Sequence, residues 1–383
     1  MAQKNFTLET LSADEFEPDQ HFVSIVGLRI DPKGDVVGWA ANHSRKLGFY
    51  WPVGKSYIPL TFDQIDCEPR GLDSNGVAYL WCNGLQMLFK PGVRPVDLHL
   101  TANQLADFRG AGGDSWGVGF SNSSRYFTGS RVGTRNMKLI AVEPLLPAAG
   151  HRSSLAVAVN SSGVATGSSS FVSANGFVGE DISNRLGRAA IWEKGAKVPS
   201  LIEPHRTESW VPQIGRAIND DGVVVGSTSP YAFSPPNGCY PATPSADLYS
   251  TRAFVSEPIL LWRDTRLLQG VDGDDTVTTM MATGINAKRV IVGVRNGVDC
   301  GPKPVLLSGV HALRWKDDNG NWTRAETLRS LFKPSGSEVT CARDIFFHEA
   351  HAINDDGAIT GSGSCADRLG KAHVFAYRLT PVY

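Results

Sequence analysis

The stretch "FHEAH" places two imidazoles and a carboxylate, His348, Glu349 and His351, within four residues. Side chains of these types could bind a metal ion or act as an acid–base pair. The spacing is not that of a helical HExxH motif. In a strand, alternation puts Glu349 and His351 on one face and points His348 away. A structural role for both histidines stays open, because a single strand offers few convergent ligands.

Three further charged residues, Glu68, Arg70 and Arg216, share a sequence position with Glu349 and His351. Each stands three or five residues before the Asn or Asp of a repeated turn. If these turns are equivalent, the five side chains meet at one place and could bind a carboxylate or a peptide terminus through charge-assisted hydrogen bonds. They could instead pair with one another between repeat units.

Other polar motifs do not predict a cofactor. The stretches "VDGDDTV" and "KDDNGN" resemble fragments of calcium loops but lack the twelve-residue spacing and the terminal Glu. The glycine-rich "GAGGDSWGVG" lacks the Lys and the strand-then-helix context of a phosphate loop. No Gly-x-Ser-x-Gly nucleophile elbow is present. We therefore expect no metal and no cofactor.

The strands that position these residues are indicated by a repeated turn pattern. In this pattern an Asn or Asp is followed by any two residues, then usually a Gly, then any three residues and a second Gly. The Asx side chain bonds the backbone ahead of it, and Gly accepts the left-handed conformation of a short hairpin. Arg125 and Arg289 replace that Gly in two copies, which predicts strained turns there. The seven copies are "DPKGDVVG" at 31, "DSNGVAYL" at 73, "NSSRYFTG" at 122, "NSSGVATG" at 160, "NDDGVVVG" at 219, "NAKRVIVG" at 286 and "NDDGAITG" at 354.

Each hairpin is followed by a strand that ends in an aromatic residue, such as "RAAIWEKG" or "HALRWKDDNG", and usually by a fourth β-compatible stretch. Four-stranded units roughly forty to seventy residues apart are typical of propeller blades. The last unit begins near residue 350 and lacks an outer strand, whereas "NFTLETL" (5–11) precedes the first hairpin without a partner. The sequence predicts an all-β, seven-bladed propeller over 1–383 as a single domain, closed by strand 5–11 joining the last blade.

The segment "AINDDGAITGS" and strands such as "HALRW" and "AHVFAY" resemble the bacterial HAF-repeat family, named for a His-Ala-Phe-like strand. The resemblance covers nearly the whole chain and is strongest in units four to seven. It implies a propeller-like repeat protein, typically extracellular and of largely uncharacterised function. The family has no agreed catalytic residues, so no residue role is carried over to this chain.

The propeller frame puts the Asx turns on one face and the longest connections, 168–187, 227–252 and 294–310, on the other. Long ordered loops in a compact domain usually carry function. The loop face over units four to six also has aromatic and guanidinium side chains of the kind enriched at interaction surfaces. These predicted contact residues are Tyr231, Phe233, Tyr240, Tyr249 and Arg252.

Six cysteines offer three neighbouring pairs on this frame: Cys67 with Cys82, Cys239 with Cys300, and Cys341 with Cys365. Pairing outward from the second hairpin puts Cys67 directly opposite Cys82, which suits a disulfide. Three disulfides would indicate an oxidising compartment, whereas the start "MAQKNFTLET" has no signal-peptide pattern. The protein is thus expected to be cytoplasmic if complete as written, and periplasmic or extracellular if it is a trimmed mature form.

Composition excludes two classes of partner. Lys and Arg number 37 against 38 for Asp and Glu, so no net field would gather nucleic acid or an anionic membrane. The predicted function is a non-catalytic binding or scaffold propeller, monomeric, which presents the loop face and channel mouth to a peptide, carbohydrate, protein or small-molecule partner, possibly as an accessory protein of a biosynthetic pathway. The alternative is an enzyme, a lyase, hydrolase or cyclase, with an Arg/Glu/His site at the channel mouth.

Overall fold

A computed structural model describes residues 6–16, 21–113, 115–123, 126–170, 187–204, 212–228, 252–260, 262–271, 278–297, 310–318, 320–332, 343–366 and 370–382. These residues form seven small antiparallel sheets that surround a central channel. The arrangement is a seven-bladed β-propeller, which confirms the predicted fold class. Five blades have the expected four strands, while blades 1 and 6 each add a short fifth strand.

Each blade starts at the channel and is built outward in chain order. Blades 1 to 3 contain β2 (Ser24–Ile30), β3 (Val36–Ala41), β4 (Lys46–Trp51), β5 (Ile58–Phe62) and β6 (Ile65–Asp66); β7 (Glu68–Leu72), β8 (Ala78–Cys82), β9 (Leu85–Lys90) and β10 (Val93–Asp97); and β11 (Asp107–Gly112), β12 (Trp116–Ser123), β13 (Tyr126–Arg135) and β14 (Lys138–Leu145). Blades 4 and 5 contain β15 (Ser153–Val159), β16 (Ala165–Ser170), β17 (Gly187–Trp192) and β18 (Ser200–Leu201); and β19 (Pro212–Ile218), β20 (Val224–Thr228), β21 (Ala253–Ile259) and β22 (Trp262–Leu267).

Blade 6 contains β23 (Thr278–Ile285), β24 (Val290–Gly297), β25 (Val310–Asp318), β26 (Asn321–Trp322) and β27 (Glu326–Thr327), and α1 (Leu328–Leu331) follows it. Blade 7 contains β28 (Arg343–Ile353), β29 (Ile359–Ala366), β30 (Ala372–Pro381) and, as its outer strand, β1 (Phe6–Ser12). Among the described residues, α1 and every other helical turn are too short to cross a membrane.

The ring is closed by the N-terminal strand, as predicted. β1 runs antiparallel to β30, from Phe6 opposite Pro381 to Ser12 opposite Phe375. Alternate side chains of β1, including Phe6 and Leu8, are buried in the cluster that also holds parts of blades 6 and 7. Because the first strand completes the last blade, no unpaired edge is left at this seam.

The Asx turns form as their residue types predict. In six blades the Asx Oδ1 accepts a hydrogen bond from the backbone N–H four residues on, at 2.8–2.9 Å. The Gly of the turn adopts a positive φ, for example 91° at Gly34 and 86° at Gly163. Arg289, in the Gly position of blade 6, has a φ of 58°, which is the strained conformation expected there. Arg125 lies outside the described residues.

The predicted third hairpin was wrong. "NSSRYFTG" at 122 lies between the second and third strands of blade 3, since β12 ends at Ser123 and β13 begins at Tyr126. The inner hairpin lies within "GAGGDSWGVG", where Gly112 pairs with Trp116. Gly112 stands where the other blades have Asn or Asp. A Cβ at this residue would lie 1.8 Å from the Val159 carbonyl oxygen, so the close approach of blades 3 and 4 excludes the residue that the template requires.

The core lies between neighbouring blades. Blade 4 contributes Trp192 and blade 6 contributes Trp315, both fully buried, at the position of the third strand that faces the fifth residue after the Asx of the turn. In blade 5 that position is Ser256, opposite Val224, and the expected aromatic, Trp262, lies beyond the hairpin tip and is 54% exposed. The guanidinium of Arg263 bonds Ser256 instead, at 3.0 Å from its Oγ.

Cysteine pairing follows the prediction where the structure describes it. Cys67 and Cys82 form a disulfide across the start of β7 and the end of β8. Cys365 is also disulfide-bonded. Its predicted partner Cys341 lies outside the described residues, as do Cys239 and Cys300, so those two pairings stay predictions.

Candidate functional site

The channel wall carries one repeated irregularity. In every blade the inner strand has a β-bulge at the residue three before the Asx position of the turn, which is Gly112 in blade 3, so no residue of the second strand stands opposite it in the strand register. A bulge bends the strand and redirects the side chain of the bulged residue, and bulges are common beside binding sites. The seven bulged residues are Leu28, Arg70, Arg109, Val157, Arg216, Thr283 and His351.

The bulges border a central cavity of about 370 Å³. Its lining includes Val157, Arg216, Thr283 and His351 at the bulge level and the Asx turns at the other end. The cavity is therefore the channel itself. At the bulge level its wall has a guanidinium, an imidazole and a hydroxyl, and at the other end it has the carboxyl and amide residues of the Asx turns. Convergent polar groups in a cavity are typical of small-molecule and peptide sites.

Glu349 and His351 form a pair, while His348 points elsewhere. His351 Nε2 lies 2.8 Å from Glu349 Oε2, and His348 Nε2 lies 2.7 Å from Ser364 Oγ on the second strand of the blade. This is the division that strand alternation predicts. The hydrogen bond from His351 lowers the pKa of Glu349, against the raising effect of burial, so Glu349 is an anion beside the cavity. Burial lowers the pKa of His348, which favours the neutral ring.

Arg216 is positioned from blade 5. Its Nε lies 3.3 Å from Ser227 Oγ on the neighbouring strand, and the residue lines the cavity. Of the predicted site residues, Arg216 and His351 are thus on the cavity wall together, with Glu349 held by His351.

Glu68 and Arg70 belong to a different arrangement, an ion-pair chain across blades 1 to 3. Lys46 Nζ lies 2.6 Å from Glu68, Arg70 lies 3.2 Å from both Glu68 and Asp107, and Arg109 lies 3.6 Å from Asp107. The Arg70 guanidinium also packs 5.9 Å from the Trp81 ring. This is the pairing between blades that the sequence left open, and neither Glu68 nor Arg70 is among the described residues that line the cavity.

Asp107 and Arg109 were missed because the third hairpin was misplaced. The predicted positions in blade 3, Gly117 and Gly119, lie on the second strand, opposite Ala111 and Phe108. A usable signal was present in the sequence. "DFRGAG" (107–112) matches "EPRGLD" (68–73) in its acid-x-Arg-Gly order. Burial raises the pKa of Asp107, while Arg70 and Arg109 act in the opposite direction.

The predicted loop face lies mostly outside the described residues. The three long connections join the second and third strands of blades 4, 5 and 6, as expected. Tyr231, Phe233, Tyr240 and Tyr249 fall in residues that the structure does not describe. Arg252 is described at the end of one connection, where its backbone N–H donates to Thr228 Oγ1 at 3.1 Å.

A metal centre is not formed by the residues that the structure describes, since no group of three or more His, Cys, Asp or Glu side chains is arranged to hold an ion there. The pair Glu349 and His351 is two ligands short of the usual tetrahedral set. What the described wall can do is bind charge of either sign and exchange a proton between an imidazole and a carboxylate.

Comparison with known proteins bears only on the fold of this chain. No protein-family model and no curated protein matches the chain, so its membership of the HAF-repeat family stays a prediction. Among solved structures, the chain is similar to virginiamycin B lyase from Staphylococcus aureus, with 11% identity, a TM-score of 0.49, and coverage of 99% of this chain and 100% of that one. It is similar to hydrazine synthase from Kuenenia stuttgartiensis, with 10% identity, a TM-score of 0.49, and coverage of 91% and 94%. It also resembles a protein of unknown function from Dyadobacter fermentans, with 10% identity, a TM-score of 0.38, and coverage of 94% and 95%.

Proposed function

We propose that the protein is a binding propeller that holds a ligand with a free carboxylate, such as a peptide C terminus, in the central cavity. The observation that carries this proposal is that Arg216 and His351, each at a β-bulge, both line one cavity of about 370 Å³. A guanidinium presents a planar fork of donors that matches a carboxylate.

Arg216 is the arginine at a bulge position that lines the cavity. The bulged arginines Arg70 and Arg109 are outside the described lining, and each has a carboxylate within 3.6 Å. The Arg216 side chain is oriented by Ser227, whose Oγ lies 3.3 Å from its Nε. The Glu349 carboxylate, which His351 holds beside the cavity, would accept from an ammonium or amide N–H of the ligand, which suits a peptide.

The loop face completes the proposed site. A partner that reaches the cavity would contact the 227–252 connection and Arg252 near the channel mouth, whereas the Asx turns on the opposite face are short and closed by Gly.

The test uses short N-acetylated peptides with either a free C-terminal carboxylate or a C-terminal amide, with binding followed by calorimetry. We expect the free acids to bind and Arg216→Met to weaken this binding about tenfold to a hundredfold, because a hydrogen bond to a charged group is lost. The matched control is Arg324→Met, which removes an exposed guanidinium outside the cavity lining. Equal binding of acids and amides, or of wild type and Arg216→Met, would refute the proposal.

A catalytic role is the second candidate, because the 2.8 Å contact between His351 and Glu349 is that of an oriented acid–base pair on a cavity wall. Incubation of the same peptides with wild-type protein and with His351→Gln, followed by mass spectrometry, separates the two functions. Turnover that is lost in His351→Gln would establish an enzyme, and binding without turnover supports the binding propeller.

A further inference from the structure

Four asparagines link successive blades by the same pair of bonds. Asn160, Asn219, Asn286 and Asn354 each accept through Oδ1 within their own turn. Each also donates through Nδ2 to the backbone carbonyl of the corresponding residue in the next blade, at 2.9–3.2 Å. This asparagine ladder runs from blade 4 through blade 7 and ends on the carbonyl oxygen of Asp31 in blade 1.

Asp31 occupies the next position of the ladder but cannot donate as an anion. Its Oδ1 accepts from the backbone N–H groups of Asp35 and Lys33 at 2.8 and 2.9 Å, as the Asn Oδ1 atoms do. The residue is 2% exposed, and its Oδ2 is buried without a hydrogen-bond partner. Oδ2 faces the turn of blade 2, since it lies 3.2 Å from the position of a Cβ on Gly76.

We propose that Asp31 binds a proton in the folded protein and donates from Oδ2 to the Asp73 carbonyl oxygen, which makes it a pH-operated link between blades 1 and 2. The proton comes from solvent and no other bond changes. Protonated, Asp31 extends the ladder by one blade, with an O–H where the other blades have an amide N–H. Ionised, it leaves a buried anion facing a carbonyl oxygen, which is costly because neither group can donate.

Burial and the neighbouring carboxylate of Asp35 favour the neutral form of Asp31, while backbone N–H groups and the charge of Lys33 favour its anion. Within its own turn, Asp35 is a second carboxylate and Lys33 a cation, and Asp35 Oδ2 accepts from Tyr50 on β4 at 2.9 Å. Asp73 faces the cluster from the turn of blade 2. From blade 7, the Asn354 amide binds the Asp31 carbonyl, and the Arg378 guanidinium donates to Gly34 at 2.8 Å.

Burial raises the pKa of Asp31 to about 6 from 3.8, with a further contribution from the charge of Asp35 and an opposing one from backbone hydrogen bonds. Because the folded-state pKa is above the unfolded value, Asp31 is most favourable to folding below about pH 4. This contribution is lost as the pH rises through about 6.

The test is the melting temperature of wild type and Asp31→Asn between pH 4.5 and 8. Asparagine donates at every pH, so we expect the variant to melt several degrees higher than wild type at pH 8 and at nearly the same temperature at pH 4.5, with the difference growing around pH 6. Asp221→Asn, an exposed carboxylate in another Asx turn, controls for the change in net charge and should show no such trend.

The converse variant, Asn354→Asp, puts a carboxylate into the ladder between blades 7 and 1 and should create the same pH dependence at that junction. A direct reading is the ¹³C shift of the Asp31 carboxyl group, which should titrate near pH 6. A difference between Asp31→Asn and wild type that is constant with pH, or an Asp31 carboxyl that titrates near pH 4, would overturn the proposal.

Discussion

Blades 4 to 7 are joined to their successors by the asparagine ladder, each through one side-chain amide in the same position. Blades 1 to 3 have Asp31, Asp73 and Gly112 in that position. They are held together by ion pairs and by the hydrogen bond from the Ser74 N–H to the Gly113 carbonyl at 2.9 Å, and blade 2 also contains a disulfide. One fold thus has a regular part, in which a repeated residue sets the spacing of blades, and an irregular part, in which charge and close backbone packing do.

The difference shows two ways of joining blades in one ring. The amide contact needs one residue type in one position, so the regular part repeats its sequence closely. The irregular part joins blades through charged residues such as Arg70 and Asp107. The proposed ligand residues Arg216 and His351 lie in the regular part, at bulges and not in the ladder.

The largest expected effect is at the seam that joins the two parts. Deletion of residues 1–12 removes β1, which buries Phe6, Leu8 and Leu11 and pairs Glu9 with the buried Arg378. Three buried apolar side chains at about 1.5–3 kcal/mol each predict a loss of roughly 5–9 kcal/mol in the free energy of unfolding. Urea denaturation would measure it. A chain shortened by residues 1–5 alone is the control, and an unchanged midpoint after the longer deletion would contradict this closure.

The second largest effect is expected in blade 2, which belongs to the irregular part and contains the disulfide. Replacing Cys67 and Cys82 by serine opens a loop with a sequence separation of 15 residues. Loops of this length predict a loss of about 3 kcal/mol in unfolding free energy. Calorimetry on the double variant and on wild type with and without reductant would show it. If the variant and the oxidised wild type melt together, the disulfide has no stabilising part in blade 2.

The smallest effect tests the regular part. Asn219→Ala removes the bond from the Val223 N–H and the bond to the Asn286 carbonyl. The buried Val223 N–H is left unpaired, whereas the Asn286 carbonyl still accepts from the Arg289 N–H. We expect a loss of about 2 kcal/mol. Asn321→Ala, in an exposed turn of blade 6, is the control and should stay within about 0.5 kcal/mol of wild type. Equal losses in the two variants would mean that the ladder does not set the strength of the regular part.

Blade number and ring closure were predictable because turn chemistry is local. An Asx side chain and a Gly three residues on are sufficient to indicate a hairpin. The turn of blade 3 was not predictable in this way. It has Gly112 in place of an Asx residue because the Val159 carbonyl of blade 4 leaves no room for a side chain there. The same holds for Trp262, whose exposure depends on Ser256 filling the core position.

The disulfide was predicted through two deviations that cancel. The predicted pairing of the second hairpin placed Asp73 opposite Gly76. In the structure, the Asp73 N–H donates to the Val77 carbonyl, and Leu72 pairs with Ala78. The bulge at Arg70 then shifts the register back by one residue, so Pro69 faces Leu80 and Cys67 faces Cys82. Bulges arise from packing around the channel. For that reason the sequence located most of the bulged residues but could not tell which of them reach the cavity.

The pairing of β1 with β30 has a consequence for biosynthesis. Thr7 Oγ1 donates to the Thr380 carbonyl across 373 residues of chain, so β1 is synthesised long before its partner β30. At about 5–20 residues per second, translation leaves β1 without this partner for tens of seconds. The nascent chain must therefore carry an unpaired strand while the intervening blades are made, and a chaperone that shields this strand would raise the yield of closed rings.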